Sequence, residues 1–184
     1  MKKWVEWLVI EDILRQYLEI KSIKDLNEAE KPSDSYSLEL IESKDFLLNK
    51  FLYKQVGKRY QWVDRLTWSD QNWIAYVSDK NLFTYILKSK ENLIGYFELI
   101  FYENNQEVEI AYFGILEEYF GKKLGGFLLS EAIKKSFFLG ANRTWVHTCS
   151  LDHKNAFKNY LSRGMTVFKS EVLKKKFLNS SEVV

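Results

Sequence analysis

Residues 108–126 read VEIAYFGILEEYFGKKLGG, and this stretch decides the fold. It contains four of the chain's eight glycines, at Gly114, Gly121, Gly125 and Gly126. A strand-forming run comes first, the glycines form a turn, and apolar residues at helical spacing follow. Glycine lets backbone N–H groups approach a ligand, and the start of a helix adds unpaired donors with partial positive charge. The pattern predicts a phosphate or pyrophosphate site, with a tight turn that binds nothing as the alternative.

Two common phosphate-binding motifs do not describe this turn. Gly125-Gly126 is followed by Phe127 instead of Lys, so the P-loop pattern does not fit, and neither does the dinucleotide pattern GxGxxG. Lys122 and Lys123 nevertheless bring two positive charges to the turn. These charges favour an anionic ligand.

The rest of the chain alternates between strand and helix patterns. Strands are predicted at residues 36–41, 83–87, 92–102, 108–115, 143–150 and 167–173. Helices are predicted at residues 45–56, after an N-cap at Ser69, from Leu124 to a C′ cap at Gly140, and from Asp152 to Arg163. This order predicts an α/β domain with a mixed sheet and helices on both faces.

The first thirty residues are predicted to form a separate helical appendage. Apolar residues recur at helical spacings through residues 3 to 28, at Trp7, Ile10, Ile13, Leu14, Tyr17 and Leu18. Residues 31–35 hold the chain's only proline and are interpreted as a linker. The predicted domains are therefore an N-terminal helical extension over residues 1–31 and a main domain over residues 32–184. The extension is expected to cover a sheet edge or to form a homodimer contact.

Composition narrows the possible classes of protein. Hydrophobic residues make up 46% of the chain, enough for a core, and the formal net charge of +2 favours no nucleic-acid partner. One cysteine and two histidines make an intramolecular disulfide impossible and a metal site unexpected. The sequence has no apolar run of the ~18 residues that a membrane span needs. A cytoplasmic protein without a membrane partner is therefore expected.

The glycine-rich stretch resembles the signature of the GNAT acetyltransferase superfamily. That signature is a strand, a turn of the form Q/R-x-x-G-x-G/A, and a helix. The six turn positions here are Phe120, Gly121, Lys122, Lys123, Leu124 and Gly125. Phe120 stands where the family has Gln or Arg, and Lys123 where it has the first Gly. Backbone donors do not depend on side chains, so the resemblance survives both departures, although Lys123 then needs an allowed backbone angle or some strain.

A second block supports the first at the expected distance. Residues 152–165 resemble the family's N-x-x-A-x-x-x-Y-x-x-x-G-F helix, with Ala156, Tyr160 and Gly164 in register. His153 replaces the leading Asn. The resemblance is closest to small bacterial members without an assigned substrate.

The resemblance implies the GNAT fold, a mixed and mostly antiparallel central sheet with helices on both faces. It also implies an N-acetyltransferase that uses acetyl-CoA and transfers the acetyl group to a primary amine by direct attack in a ternary complex. Free backbone N–H groups at Phe113 and Ile115 are expected to polarise the thioester carbonyl. The implied cofactor-binding residues are Phe113, Gly114, Ile115, Gly121, Lys122, Lys123, Leu124, Gly125, Gly126, Asn155 and Tyr160.

Three residues are predicted to be catalytic. Tyr160 matches the family's tyrosine that protonates the departing CoA sulfur, and a phenol is a neutral donor at pH 7. Glu109 matches the glutamate that deprotonates the amine through water in the histone acetyltransferases. Glu98, on the preceding strand, is the second candidate base, and ordered water is the third alternative. Packed aromatic and exposed strand-end roles are the structural alternatives for Tyr160 and Glu109.

The acceptor site is predicted from an aromatic segment. Trp62, Trp68 and Tyr112 are expected to line a cleft for an amine with an apolar body, although core packing explains the same residues. The acceptor is predicted to be a small-molecule amine or a protein or peptide amine. Two rival functions are an acyl-CoA-binding module or sensor without turnover and a protein-interaction or toxin–antitoxin partner.

Overall fold

The computed structural model of the chain describes residues 3–32, 36–42 and 45–183. Its strands are β1 (Lys3–Ile20), β2 (Ser37–Leu40), β3 (Leu82–Ser89), β4 (Asn92–Tyr102), β5 (Glu107–Ile115), β6 (Arg143–Cys149) and β7 (Thr166–Val183). Its α-helices are α1 (Phe46–Gly57), α2 (Asp70–Val77), α3 (Leu124–Phe138) and α4 (Ala156–Ser162). Within these residues one sheet has the order β2-β3-β4-β5-β6-β1-β7. All of its pairs are antiparallel except β5 with β6.

Helices pack on both faces of this sheet, as the sequence predicts. On one face, the apolar side of α3 packs against β4 and β5 through Leu128, Ile133, Phe97 and Ile110, all buried. On the other face, Leu52 and other residues of α1 pack against the outward side of β3 and β4. The mixed, mostly antiparallel α/β architecture is therefore confirmed.

The helical appendage predicted for residues 3 to 28 is wrong. Residues 3 to 20 form β1, which lies inside the sheet between β6 and β7. Ile10 and Leu14, which the helical stripe would bury, are 56% and 43% exposed. Pairing with strands on both sides supplies long-range hydrogen bonds that outweigh the weak local preference read from apolar spacing. Of the predicted linker, residues 33–35 lie outside the described residues.

Two of the predicted helix ends are confirmed, whereas the last helix begins at Ala156 and not at Asp152, whose carboxylate accepts hydrogen bonds from Thr148 and Cys149 instead of capping α4. Ser69 caps α2 in a reciprocal capping box with Asn72. Gly140 follows the end of α3 with a φ of +92°, a left-handed angle that glycine adopts without strain. The last strand, predicted at residues 167–173, is longer and runs to Val183.

β1 and β7 continue together beyond the end of β6. β6 pairs with β1 only from Arg15 to Ile20, whereas β7 pairs with β1 from Lys3 to Glu19. Residues 3–14 and 172–183 therefore form a two-stranded ribbon, referred to below as the ribbon. The ribbon begins beside the site described next.

Candidate functional site

A gap in the sheet sets the position of the site. β5 and β6 pair only at Glu107–Glu109 with Arg143–Trp145, and the described strands form no further pair with each other. β5 nevertheless stays paired with β4 up to Ile115. The two neighbouring strands therefore separate, which leaves one edge of β5 without a ladder partner.

The backbone of β5 directs two amides into this gap. The register shifts between Glu98 and Leu99, so that Ala111 is the extra residue of a bulge. The Leu116 amide donates to Ile94 O of β4 at 2.8 Å. Successive amides on a strand point to opposite sides, so those of Phe113 and Ile115 point away from β4 and toward the gap. This is the orientation required of oxyanion donors.

Gly114, between those two amides, permits a close contact with α1. A Cβ at this position would overlap with Cγ1 of Val56. Only glycine therefore allows α1 to lie so close to the gap.

The glycine-rich turn adopts left-handed backbone angles at two positions. Gly121 has a φ of +80°, and Lys123, the residue before α3, has a φ of 59° and a ψ of 14°. Lys123 therefore takes the left-handed conformation that the family motif assigns to glycine, at a cost of about 1 kcal/mol or more. No side chain caps the start of α3. The first-turn amides of that helix are thus without a capping side chain.

α4 packs directly on the start of α3. Asn159 Nδ2 donates to the Gly125 carbonyl at 3.1 Å. A Cβ on Gly126 would lie 2.5 Å from Arg163 Nη1. The Gly125-Gly126 pair thus lets the second motif block approach the first.

One cavity of about 850 Å³ connects these features. At one end, which we call the cofactor end, it is lined by the turn and by α4, including Gly121, Lys123, Gly125, Gly126, Asn155 and Tyr160. Its middle is the gap, lined by residues 110–115 of β5. At the opposite end, the acceptor end, it is lined by the segment after α1, by β6 and by the ribbon.

The cofactor end is positively charged. Lys123, Lys158 and Arg163 line it, and the helix start adds partial positive charge. Lys122, also predicted to bind cofactor, does not line the cavity, and its Nζ lies 4.9 Å from the Tyr119 ring centroid.

Tyr160 lies where the cofactor end meets the gap. Its ring centroid is 6.3 Å from that of Phe113, and the side chain is 6% exposed. Burial, followed by the charge of Asp152, raises the pKa of Tyr160. The phenol therefore keeps its proton at neutral pH, as a general acid must.

The two departures from the family motif at Phe120 and His153 contact each other. Their ring centroids are 5.4 Å apart. The His153 ring also contacts Tyr60, at a centroid distance of 6.0 Å. An aromatic cluster at the cavity wall thus replaces the polar pair of the motif.

Only two of the three aromatic residues predicted to line the acceptor end do so. Trp62 and Tyr112 line the cavity, with ring centroids 4.9 Å apart. Trp68 does not line it and packs instead against Trp73 and Tyr76.

Glu98 is fully buried behind this wall. Its carboxylate accepts hydrogen bonds from Arg65 Nη1 at 3.1 Å, from the Tyr76 hydroxyl at 2.6 Å and from Asn49 Nδ2 at 2.8 Å. The Arg65 guanidinium also lies 4.1 Å from the Tyr112 ring centroid. These bonds occupy both carboxylate oxygens, so Glu98 holds Arg65 against Tyr112 instead of meeting an amine.

Glu109 lies on the same side of the sheet as Glu98, but it does not line the cavity. Its Oε2 accepts a hydrogen bond from the Tyr102 hydroxyl at 2.7 Å. The Tyr102 ring in turn stacks on Trp145 of β6. Glu109 thus has a less direct place at the acceptor end than the resemblance implies.

Three polar residues that line the acceptor end, His147, Asp64 and Arg15, are not among the site residues predicted from the sequence. The His147 side chain is exposed at the cavity surface, yet neighbouring protein atoms still desolvate its ring and lower its pKa, and the charge of Arg15 lowers it further. Glu109, Asp152 and Asp64 act in the opposite direction without prevailing. A strand assignment for residues 13 to 17 would have placed Arg15 on one face by alternation.

Cys149, at the end of β6, is a free thiol that also lines the cavity. Burial, then the charge of Asp152, raises its pKa, so it stays a thiol at neutral pH. His147 and Cys149 therefore do not form the ion pair of an activated nucleophile. The described residues contain no cluster of three metal-ligating side chains, and no helix among them is long and apolar enough to cross a membrane.

Comparison with known families agrees with this geometry. The sequence model of the Acetyltransferase (GNAT) family matches residues 44–165, more than half of the chain. The chain therefore belongs to the GNAT acetyltransferase family. No curated protein matches the sequence.

Solved structures share the fold at low sequence identity. A GCN5-related N-acetyltransferase from Sphaerobacter thermophilus aligns with a TM-score of 0.68 and 12% identity, over 92% of this chain and 51% of its own. One from Kribbella flavida aligns with a TM-score of 0.61 and 14% identity, over 90% and 58%. An aminoglycoside acetyltransferase from an uncultured soil metagenomic sample aligns with a TM-score of 0.59 and 11% identity, over 70% and 86%. The chain thus spans between half and three fifths of the first two proteins.

Proposed function

We propose that the protein is an acetyl-CoA-dependent N-acetyltransferase that transfers the acetyl group to a primary amine by direct attack in a ternary complex. The single observation that carries the proposal is the continuous cavity. It joins a helix start with uncapped amides, two backbone amides in a sheet gap and a buried tyrosine. Those are the parts that anion binding, carbonyl polarisation and leaving-group protonation require.

The cofactor end fits coenzyme A. We assign the pyrophosphate to the amides of residues 121–126, with Lys123 as a nearby charge. Lys158 and Arg163 line the same end and suit further phosphate charge. When bound, acetyl-CoA supplies an acetyl thioester for transfer.

At the gap, the amides of Phe113 and Ile115 are assigned to the carbonyl oxygen. They stabilise the negative charge that develops there as the amine nitrogen attacks. The Tyr160 hydroxyl gives its proton to the departing sulfur as the carbon–sulfur bond breaks. The raised pKa of Cys149 supports transfer without an acyl-cysteine stage.

For removal of the amine proton we assign His147 in place of Glu98. His147 lines the cavity, and its lowered pKa leaves the imidazole neutral at pH 7. Glu109, whose charge favours protonation of His147, stabilises the imidazolium that forms. Glu109 thereby keeps a catalytic contribution, although through His147.

The test is thiol release from acetyl-CoA in the presence of a panel of primary amines, combined with calorimetric titration of acetyl-CoA. Amine-dependent thiol release with formation of the acetylated amine supports the proposal. Tight acetyl-CoA binding without release for any amine would instead support an acyl-CoA sensor. Absence of binding would remove both.

A further inference from the structure

We propose that the acceptor is a primary amine that also carries a carboxylate, and that the carboxylate binds Arg15 at the acceptor end. This inference rests on the proposed acetyl transfer and adds the chemical class of the acceptor. The contributing residues come from the ribbon and from the last pair of β1 with β6.

The position of Arg15 follows from the strand register. It pairs with Cys149, the last residue of β6, and with Glu171 of β7. Beyond this point the ribbon runs on without β6, and Ile13 and Leu173 line the cavity beside Arg15. Arg15 thus lies where β6 ends, at the boundary between the sheet and the part of the ribbon that lines the acceptor end.

The guanidinium of Arg15 has an unused donor. Its Nε is buried and makes no hydrogen bond with the described residues. Its cross-strand neighbour Glu171 already accepts bonds from the Tyr17 hydroxyl at 2.6 Å and from Lys169 Nζ at 2.9 Å. A buried donor without a partner is unfavourable, and an acceptor atom supplied by a ligand would satisfy it.

The charge around Arg15 favours an anion. Lys174 and Lys175 of the ribbon also line the cavity, and Lys175 Nζ reaches the Gln61 carbonyl at 3.4 Å across its mouth. Two carboxylates line the cavity. Asp152 accepts bonds from the Thr148 hydroxyl and the Cys149 amide through one oxygen, and its charge stands with that of Asp64 against the three cations Arg15, Lys174 and Lys175.

Carboxylate is the anion that this arrangement suits. The planar guanidinium presents donors in a fork that matches two carboxylate oxygens. The aromatic pair Trp62 and Tyr112 then borders the body of the acceptor. A polycation such as an aminoglycoside meets three cations at this end and is disfavoured.

The experiment compares amino acids with their carboxamides as acceptors. Glycine, alanine and phenylalanine are each assayed against the amide at saturating acetyl-CoA. The amine of a carboxamide loses its proton more easily than the amine of the corresponding amino acid, which by itself favours the carboxamide as acceptor. Any preference for the amino acid therefore comes from the protein. We expect kcat/KM for the acid to exceed that for the amide by about tenfold or more.

Variants connect that ratio to Arg15. Arg15→Gln should bring the acid-to-amide ratio close to one, and Arg15→Lys should keep part of it because the charge remains without the fork. Lys176→Gln is the matched control, since it removes an exposed charge from the same ribbon that does not line the cavity. It should leave the ratio unchanged.

The outcomes separate this inference from the proposed function. Acetylation of amines with no preference for the acid, or a ratio unchanged in a folded Arg15→Gln protein that binds acetyl-CoA, overturns the carboxylate assignment alone. Faster acetylation of an aminoglycoside than of any amino acid also overturns it. If no amine is acetylated, both the function and the acceptor class fail.

Discussion

The two ends of the cavity are built in different ways. The cofactor end comes from two short stretches, residues 120–126 and 152–163, each carrying a motif. The acceptor end comes from five separated segments: β1, the segment after α1, β5, β6 and β7. A site made from contiguous sequence is legible in that sequence, whereas a site made by the meeting of distant strands becomes visible only in the fold.

The largest effect is expected where the two ends meet, at Tyr160. Tyr160→Phe removes the proton donor for the sulfur and should lower kcat by about 10²–10⁴-fold. Affinity for acetyl-CoA should change little, because the ring remains. Steady-state kinetics and calorimetry measure the two quantities.

Tyr85→Phe is the control for that substitution. Tyr85 is buried and stacks on Phe97, but it does not line the cavity. Its kcat should match that of the wild type. Equal turnover in Tyr160→Phe would remove the tyrosine from the mechanism and leave the cofactor end as a binding site alone.

A second effect concerns the support of the acceptor wall. Glu98→Gln removes the charge that compensates the buried Arg65 and should lower the free energy of unfolding by about 3–5 kcal/mol. Denaturant titration measures this loss. Glu109→Gln, with a partly exposed carboxylate and one hydrogen bond, should lose less than about 1.5 kcal/mol. Similar losses in both variants would contradict the supporting role given to Glu98.

The third effect is a pH dependence that belongs to the acceptor end. A neutral His147 is required, and its pKa lies below 6.5, so kcat/KM should fall about tenfold per pH unit below that pKa. Glu109 raises this pKa, so Glu109→Gln should move the acid limb to lower pH.

When the wild type and a variant are compared with the same acceptor, the ionisation of the acceptor amine affects both pH profiles equally. His147→Gln should therefore lose the part of the acid limb that is due to the enzyme. An acid limb identical to that of the wild type would show that a different group accepts the proton.

The smallest effect tests the turn itself. Lys123→Gly relieves left-handed strain in a lysine and, after the extra entropy of an unfolded glycine, should raise the free energy of unfolding by about 0.5 kcal/mol. Lys122→Gly, at a position without a positive φ, should lower it by about 0.5–1 kcal/mol. Thermal unfolding compares them, and a destabilised Lys123→Gly would mean that the backbone there is unstrained.

Much of the fold from residue 36 onward follows from local chemistry. Ser69 and Gly140 mark helix ends because their side chain or backbone freedom satisfies groups that a helix leaves unpaired. The turn at Gly121 is recognisable because its conformation needs glycine.

The sequence predicts a helix where β1 forms, because the apolar residues of β1 fit a helical stripe and its strand partners lie far away in the sequence. Arg15 pairs with Cys149 and Glu171, and no local pattern contains that information. The same lack of long-range information in the sequence explains the predictions for Glu98 and Trp68. Each has a residue type suited to the site, but Glu98 bonds to Asn49 of α1 and Trp68 packs on Trp73 of α2, so neither lines the cavity.

β1 is an interior strand of the sheet, and its neighbour at the edge is β7. Because β1 and β7 lie far apart in the sequence, their pairing is a long-range contact that closes this part of the sheet slowly. Pulse-labelled hydrogen exchange during refolding should show protection in β3, β4 and β5 before β1 and β7. The proposed acceptor end would thus form last, after the proposed cofactor end is already in place.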